Sequence, residues 1–167
     1  MNNDLKNDRR RILFALSSPS GAGKTSLSRK LLERNKKIFL SISYTTRPPR
    51  PGEIDKSDYY FIDDGKFNEM LKRDEFLESA KVFDHYYGTP KKPIIEAIDS
   101  GKDVLFDIDW QGTQQLMNSL QDDLVKVFVL PPSAKELEKR LLKRNQDTDK
   151  TVKDRMSKAS NEISHYA

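Results

Sequence analysis

The sequence predicts an α/β fold built on a parallel sheet flanked by helices, and three features carry that expectation. Apolar runs at residues 104–108 and 125–130 have the near-continuous character of strands buried on both faces of a parallel sheet. Helix-patterned segments alternate with the strand-like ones along the chain. A third apolar run, residues 12–17, ends in small residues and passes through a Gly-rich turn into helical spacing at 27–32, giving strand, loop and helix in that order.

The elements follow in sequence. Residues 1–10 are polar and charged and read as a flexible tail, with Arg9, Arg10 and Arg11 as a solvated lead-in to the first strand. Residues 39–44 alternate as one strand. Pro48, Pro49 and Pro51 then exclude regular structure until a further strand at 59–62. A helix is expected at 64–73, a strand at 76–83, and a helix around 94–98 with Pro93 in its first turn and Gly101 just past its end. Ser133 and Glu136 form a capping-box pattern that opens a helix to about Asn145, and a last helix runs from about Thr151. The stretch between Ser41 and Thr89 reads as a more irregular insert.

At 167 residues the chain fits one domain that buries a core without staples. Its mean hydropathy of −0.78 implies a lean core under a large solvated surface. The net charge of +4 suits anionic ligands such as phosphates but is too small to mark a nucleic-acid binder. With no cysteine, disulfides, Cys-ligated zinc and thiol nucleophiles all drop out, and a reducing cytoplasm is the expected home. No segment has the character of a signal peptide or a membrane span.

The chemistry concentrates in Ser18-Pro19-Ser20-Gly21-Ala22-Gly23-Lys24-Thr25, which matches the phosphate-loop pattern at every fixed position but the first. Gly21 and Gly23 permit the tight turn that aims backbone N–H groups at an anion. The helix behind them offers its positive end, Lys24 a mobile cation for the outer phosphates, and Thr25 a hydroxyl for magnesium. Ser18 stands where the pattern has Gly; a positive φ there would cost roughly 1 kcal/mol. Asp107 and Asp109 lie two apart at the carboxyl end of a core strand, where ligands bind in such folds. Either acid could hold magnesium or its water shell, or cap the turn before Trp110-Gln111-Gly112.

A second anion site is expected in Thr45-Thr46-Arg47-Pro48-Pro49-Arg50-Pro51-Gly52-Glu53. Polyproline II geometry, with three residues per turn, would point Arg47 and Arg50 the same way and present two guanidinium forks to a doubly charged phosphate. Tyr59, Tyr86 and Tyr87 could add hydroxyl donors. The two histidines, His85 and His165, stand apart and offer no evident general base.

Together with Ser43-Tyr44, Asp58-Tyr59, Glu75-Phe76-Leu77-Glu78, Tyr86-Tyr87-Gly88-Thr89 and Asp107-Ile108-Asp109-Trp110-Gln111-Gly112, these segments resemble the guanylate kinase family from about Ile12 to Tyr166. The resemblance implies a P-loop nucleoside monophosphate kinase fold that moves the γ-phosphoryl group of ATP to GMP with Mg2+. It implies a core of residues 11–40 and 90–167, a GMP-binding subdomain at 41–89, and an arginine-bearing lid at about 140–155. ATP would be held by Ser18, Pro19, Ser20, Gly21, Ala22, Gly23, Lys24, Thr25 and Ser26. Arg47, Arg50, Tyr59 and Tyr87 would bind the GMP phosphate, while Ser43, Glu78, Thr89 and Asp109 would bind the rest of GMP. The metal would sit on Thr25 and, through water, on Asp107; Lys24, Arg47, Arg140, Arg144 and Arg155 would offset charge on the transferred group.

ATP and GMP are thus the expected partners, with no nucleic acid or membrane, and with no signal for a monomer or a homo-oligomer. Two other classes compete with the enzyme: a non-catalytic interaction module of the same fold, and a nucleic-acid binder using the basic tail and lid. The intact Gly21, Gly23, Lys24 and Thr25 beside both arginines favour the enzyme. Relatives in that family continue into a last core strand and closing helix, whereas residues 153–166 remain helical in pattern. The sheet is therefore expected to lack an edge and the ATP base site one wall, as in a truncated or impaired enzyme.

Overall fold

The computed structural model describes residues 11–82, 84–120, 123–143 and 149–164. The tail at 1–10, Arg144, the middle of the expected lid at 144–148, and His165 fall outside the described residues. The described elements, in chain order, are β1 Leu13–Ser17, α1 Lys24–Arg34, β2 Ile38–Ser41, β3 Tyr44–Thr45, β4 Tyr60–Phe61, α2 Asp64–Lys72, β5 Phe76–Val82 and β6 His85–Pro90. Then follow α3 Lys91–Asp99, β7 Asp103–Asp107, α4 Trp110–Leu120, β8 Leu124–Phe128, α5 Ala134–Lys143 and α6 Asp149–Ser164.

Two sheets form. The first is parallel throughout, in the order β2-β7-β1-β8. Its register sets Leu13 beside Val104 on one side and Leu124 on the other. These three residues share a face because strand side chains alternate. With Ala15, Phe106 and Ile108 they meet Ile94 and Ala97 of α3 and Leu116 of α4 in the main core. Val104, Leu105 and Phe106 are wholly buried, so β7 is the two-faced interior strand that its apolar run predicts.

β8 is not. It has one strand neighbour among the described residues, and Val125 and Val127 are 53% and 40% exposed. The expectation of a second fully buried strand fails because only the Leu124 face packs into the core. An apolar run alone does not distinguish an edge from a centre.

The insert is more regular than expected. It forms a second sheet in the order β4-β3-β6-β5, where β3 pairs antiparallel with β6 and parallel with β4. The single strand expected at 39–44 is in fact two: β2 ends at Ser41 in the core sheet, and β3 starts at Tyr44 in the second. Strand β6 and helix α4 went unrecognised in the sequence. β6 is rich in aromatic and turn-forming residues, and in α4, WQGTQQLMNSL, the good helix formers Gln, Leu and Met are interrupted by Gly, Thr, Asn and Ser. Packing of Leu116 against the parallel sheet, rather than propensity, sustains α4. A smaller cluster, Phe67, Met70 and Phe76, seats α2 on the second sheet. No described helix is long and apolar enough to cross a membrane.

Candidate active site

The phosphate loop leaves β1 at Ser17 and enters α1 at Lys24. Gly21 and Gly23 hold φ of +94° and +108°, the left-handed region that side chains oppose. Gly21 also lacks room: an added Cβ would meet Leu137 and Leu141 of α5 at 3.0 Å. Ser18 is not among the described positive-φ residues, so the penalty expected for replacing Gly there does not arise. Its hydroxyl instead donates to the Pro19 carbonyl at 3.1 Å.

Lys24 is tied to the end of β7. Its Nζ donates to the Ile108 carbonyl at 2.7 Å and pairs with Asp107 Oδ1 at 2.7 Å. The other Asp107 oxygen accepts from the Ser28 hydroxyl at 3.0 Å. Ser28, 1% exposed, lies one helical turn after Lys24, so the same face of α1 addresses the strand end. Ser28 is not among the residues expected at the site, although its i, i+4 spacing from the phosphate-loop lysine is a usable signal. Asp109 does the capping that was its alternative role: its Oδ1 accepts from Gly112 N–H at 2.8 Å, and it still lines the central cavity beside Asp107.

In the arginine loop the two arginines differ in burial: Arg47 is buried and Arg50 is exposed. Glu53 N–H donates to the Arg50 carbonyl, closing a turn with Pro51 second and Gly52, at φ +86°, third. That turn overrides the polyproline geometry and swings the Glu53 carboxylate back onto Arg47, which grips it with both terminal nitrogens at 2.8 and 2.9 Å. Arg47 also donates to Tyr87 Oη at 3.2 Å and lies over the Tyr59 ring. Burial alone would lower the Arg47 pKa, but the bonds to Glu53 and Tyr87 outweigh it and secure the charge. Glu53 shows the mirror case: burial opposes its charge, Arg47 and the Arg50 backbone N–H overcome that, and its pKa falls. Arg50 stays exposed and lines a cleft of about 800 Å³ with Thr25, Ser26, Tyr59 and Asp107. Arg47 is thus buried against Glu53 and Tyr87, while Arg50 is exposed with its charge still felt at the same Glu53 carboxylate.

Ser43, just before β3, Glu78 of β5 and Thr89 of β6 come together at the second sheet, all buried. Thr89 Oγ1 donates to Glu78 Oε1 at 2.5 Å and lies 3.4 Å from Ser43 Oγ. Burial pushes the Glu78 carboxyl up to about 7; the Thr89 hydrogen bonds oppose the rise and the nearby Asp109 adds to it. Burial and Asp107 likewise push Tyr59 up to about 12, which keeps its phenol a donor. A cavity of about 110 Å³ joins Glu78, Ser43, Tyr59 and Tyr87 to Lys24, Asp107 and Asp109.

Helices α5 and α6 bring arginines to the phosphate loop. Arg140 donates to the Ala22 carbonyl at 3.1 Å and to Glu136 at 3.0 Å, and Arg155 donates to Ser20 Oγ at 2.9 Å. Ser133 caps α5 by accepting from Glu136 N–H, as its pattern predicts.

The chain is similar to known proteins. A guanylate kinase family model matches residues 9–167. The guanylate kinase of Paramagnetospirillum magneticum is 58% identical over 158 residues, covering 95% of this chain and 74% of that protein. That of Nitrobacter winogradskyi is 57% identical over 160 residues, covering 96% and 73%. A solved guanylate kinase from Anaplasma phagocytophilum superposes with a TM-score of 0.75 at 36% identity, over 93% of this chain and 71% of that one. With the glycine-turned phosphate loop, the paired arginine loop and the buried Ser43–Thr89–Glu78 cluster in one molecule, the chain belongs to the guanylate kinase family.

Proposed function

We infer that this chain transfers the γ-phosphoryl group of ATP to GMP, giving ADP and GDP, and so serves purine nucleotide metabolism and recycling. The supporting observation is that Lys24 of the phosphate loop and Glu78 of the second sheet line one cavity, so that donor and acceptor ends of a transfer would meet there. The positive charge of Lys24 lies on the donor side, and Arg140 and Arg155 already reach the loop that would cradle the triphosphate. Arg50, exposed on the adjoining cleft, is the better placed of the two loop arginines to meet the GMP phosphate, with Tyr59 beside it. Arg47 contributes by holding Tyr87 and by stiffening the loop through Glu53.

Glu78 is assigned to guanine. Guanine offers N1–H and N2–H side by side, and one carboxylate accepts both; adenine would set an acceptor against it. Buried groups left unpaired in this way discriminate by roughly 10⁴-fold. A GMP phosphate oxygen is already anionic, so the acceptor needs no general base, and positioning plus charge neutralisation suffice.

Thr25 and Asp107 line the same cleft and supply a hydroxyl and a carboxylate, hard oxygen donors that fit Mg2+. Mg2+ characteristically keeps several waters and takes phosphate oxygens beside one or two protein ligands, so two such donors suffice. When bound, the ion would offset phosphate charge, and Ser28 and Lys24 would fix the Asp107 carboxylate that orients its water shell. The segments at 41–89 and about 140–155 are proposed as the GMP-binding and lid parts, and the cytoplasm as the compartment.

The test is ATP-dependent GDP formation from GMP with magnesium, with AMP, CMP and UMP as controls and Lys24→Ala beside the wild-type chain. GDP from GMP alone, lost in the variant, is the expected result. GMP that is neither bound nor phosphorylated would overturn the assignment.

A further inference from the structure

Helix α4 follows directly from the core sheet but packs on the second sheet as well. It begins at Trp110, three residues after β7 ends, yet its first turns lie against β5, the edge strand that carries Glu78. Two residues on one face of α4, three positions apart, make that contact. The first is Gln115. Its Nε2 donates to the Ser79 carbonyl at 2.7 Å, and its Oε1 accepts from the Ser79 N–H at 3.1 Å. A side-chain amide thus replaces the missing neighbour strand at the backbone unit immediately after Glu78.

The second is Gly112, which is buried. A Cβ on it would stand 2.8 Å from Glu78 Oε2 and 3.1 Å from its Cδ. The first distance is closer than carbon approaches oxygen and the second is tight, and the carboxylate is the mobile partner. Any side chain at 112 would therefore drive the carboxylate away by about half an ångström while leaving the helix backbone sound. Oε1 meanwhile is held from the opposite side by Thr89 at 2.5 Å.

We propose that Gly112 and Gln115 are positioning residues for guanine recognition: α4 fixes the Glu78 backbone through the Gln115 amide and leaves the space its carboxylate occupies at Gly112. The inference rests on the assignment of Glu78 to guanine. A bidentate pairing with N1–H and N2–H needs both carboxylate oxygens in place, so a small retreat breaks the second bond first. Inosine monophosphate, which keeps N1–H and lacks the 2-amino group, reports that second bond directly.

The experiment compares Gly112→Ala, Gln115→Met and Glu78→Gln with wild type, measuring kcat and KM for GMP, for inosine monophosphate and for ATP. Gly112→Ala is expected to raise the GMP KM at least tenfold or so, with the ATP KM unchanged, and to shrink the preference for GMP over inosine monophosphate. Gln115→Met, at an exposed position that tolerates substitution, is expected to do the same by about threefold to tenfold and keeps the test open if Gly112→Ala folds poorly. A wild-type GMP KM and preference in both variants, with both lost in Glu78→Gln, would overturn the positioning role alone. Wild-type values in Glu78→Gln would overturn the guanine assignment and this inference with it.

Discussion

Replacing Glu78 with Gln should make the free protein more stable at alkaline pH while impairing it as an enzyme. Burial carries this carboxyl from 4.5 to about 7 on folding, with Asp109 adding to the rise against the Thr89 hydrogen bonds. The folded state therefore holds the proton more tightly than the unfolded state. That advantage is fully present below 4.5 and is lost as pH rises through about 7, where the folded chain must keep a charge among buried groups. A displacement of this size is worth about 3 kcal/mol. Gln at 78 does not titrate, so the variant escapes the loss. Urea denaturation followed by circular dichroism at about pH 5 and about pH 8.5 measures it. The stability of Glu78→Gln relative to wild type should be about 2 to 3 kcal/mol more favourable at the higher pH. An equal difference at both pH values would refute the burial argument.

Two further outcomes follow from the same geometry. Ser28→Ala removes the buried hydroxyl that donates to Asp107; a stability loss of about 1 kcal/mol, read as a lower Tm without metal, and a raised magnesium requirement in the assay are expected. Arg47→Lys keeps a positive charge but not the fork that grips Glu53. Its GMP KM should rise about tenfold with the ATP KM unchanged, and Glu53→Gln should copy much of the effect, since both act on one loop.

The phosphate loop was legible because its signal is local: glycines at fixed spacing, a lysine and a hydroxyl between a strand and a helix. The conformation found at Gly21 and Gly23 is what that pattern requires. The core strands were legible as apolar runs, but burial on one face or two depends on neighbours that the run does not encode, and β8 was misjudged for that reason. In the arginine loop the prolines pointed to polyproline II and hid a turn spelled by Arg50-Pro51-Gly52-Glu53, whose closing bond turns Arg47 inward. Glu78 drew attention only through the family resemblance, since one acid in a strand pattern says little. Gly112 entered only as part of a family segment and Gln115 gave no signal, because their partners lie more than thirty residues away in the chain. Local chemistry can be read from the sequence, whereas the contacts between the two sheets and the helices that join them come only with the fold.

The raised Glu78 pKa bears on selectivity as well as stability. An ionised carboxyl accepts from guanine N1–H and N2–H, and a protonated one instead donates to adenine N1. With the group poised at about 7, its protonation state should decide which purine the site prefers. Above that point almost every molecule presents acceptors, so AMP meets a repelling site while GMP binds fully. Below it the proportions reverse, and each pH unit changes the ratio of ionised to protonated sites tenfold. Between about pH 8 and about pH 6 the ratio of kcat/KM for GMP to that for AMP should therefore narrow by roughly a hundredfold. The ATP KM, measured alongside, separates this from any titration of the phosphate loop. Glu78→Gln, with an amide that has both a donor and an acceptor and no charge to change, should show a low ratio that stays flat across the same range. A wild-type ratio that is equally flat would mean that the buried carboxyl does not titrate there, or does not touch the base.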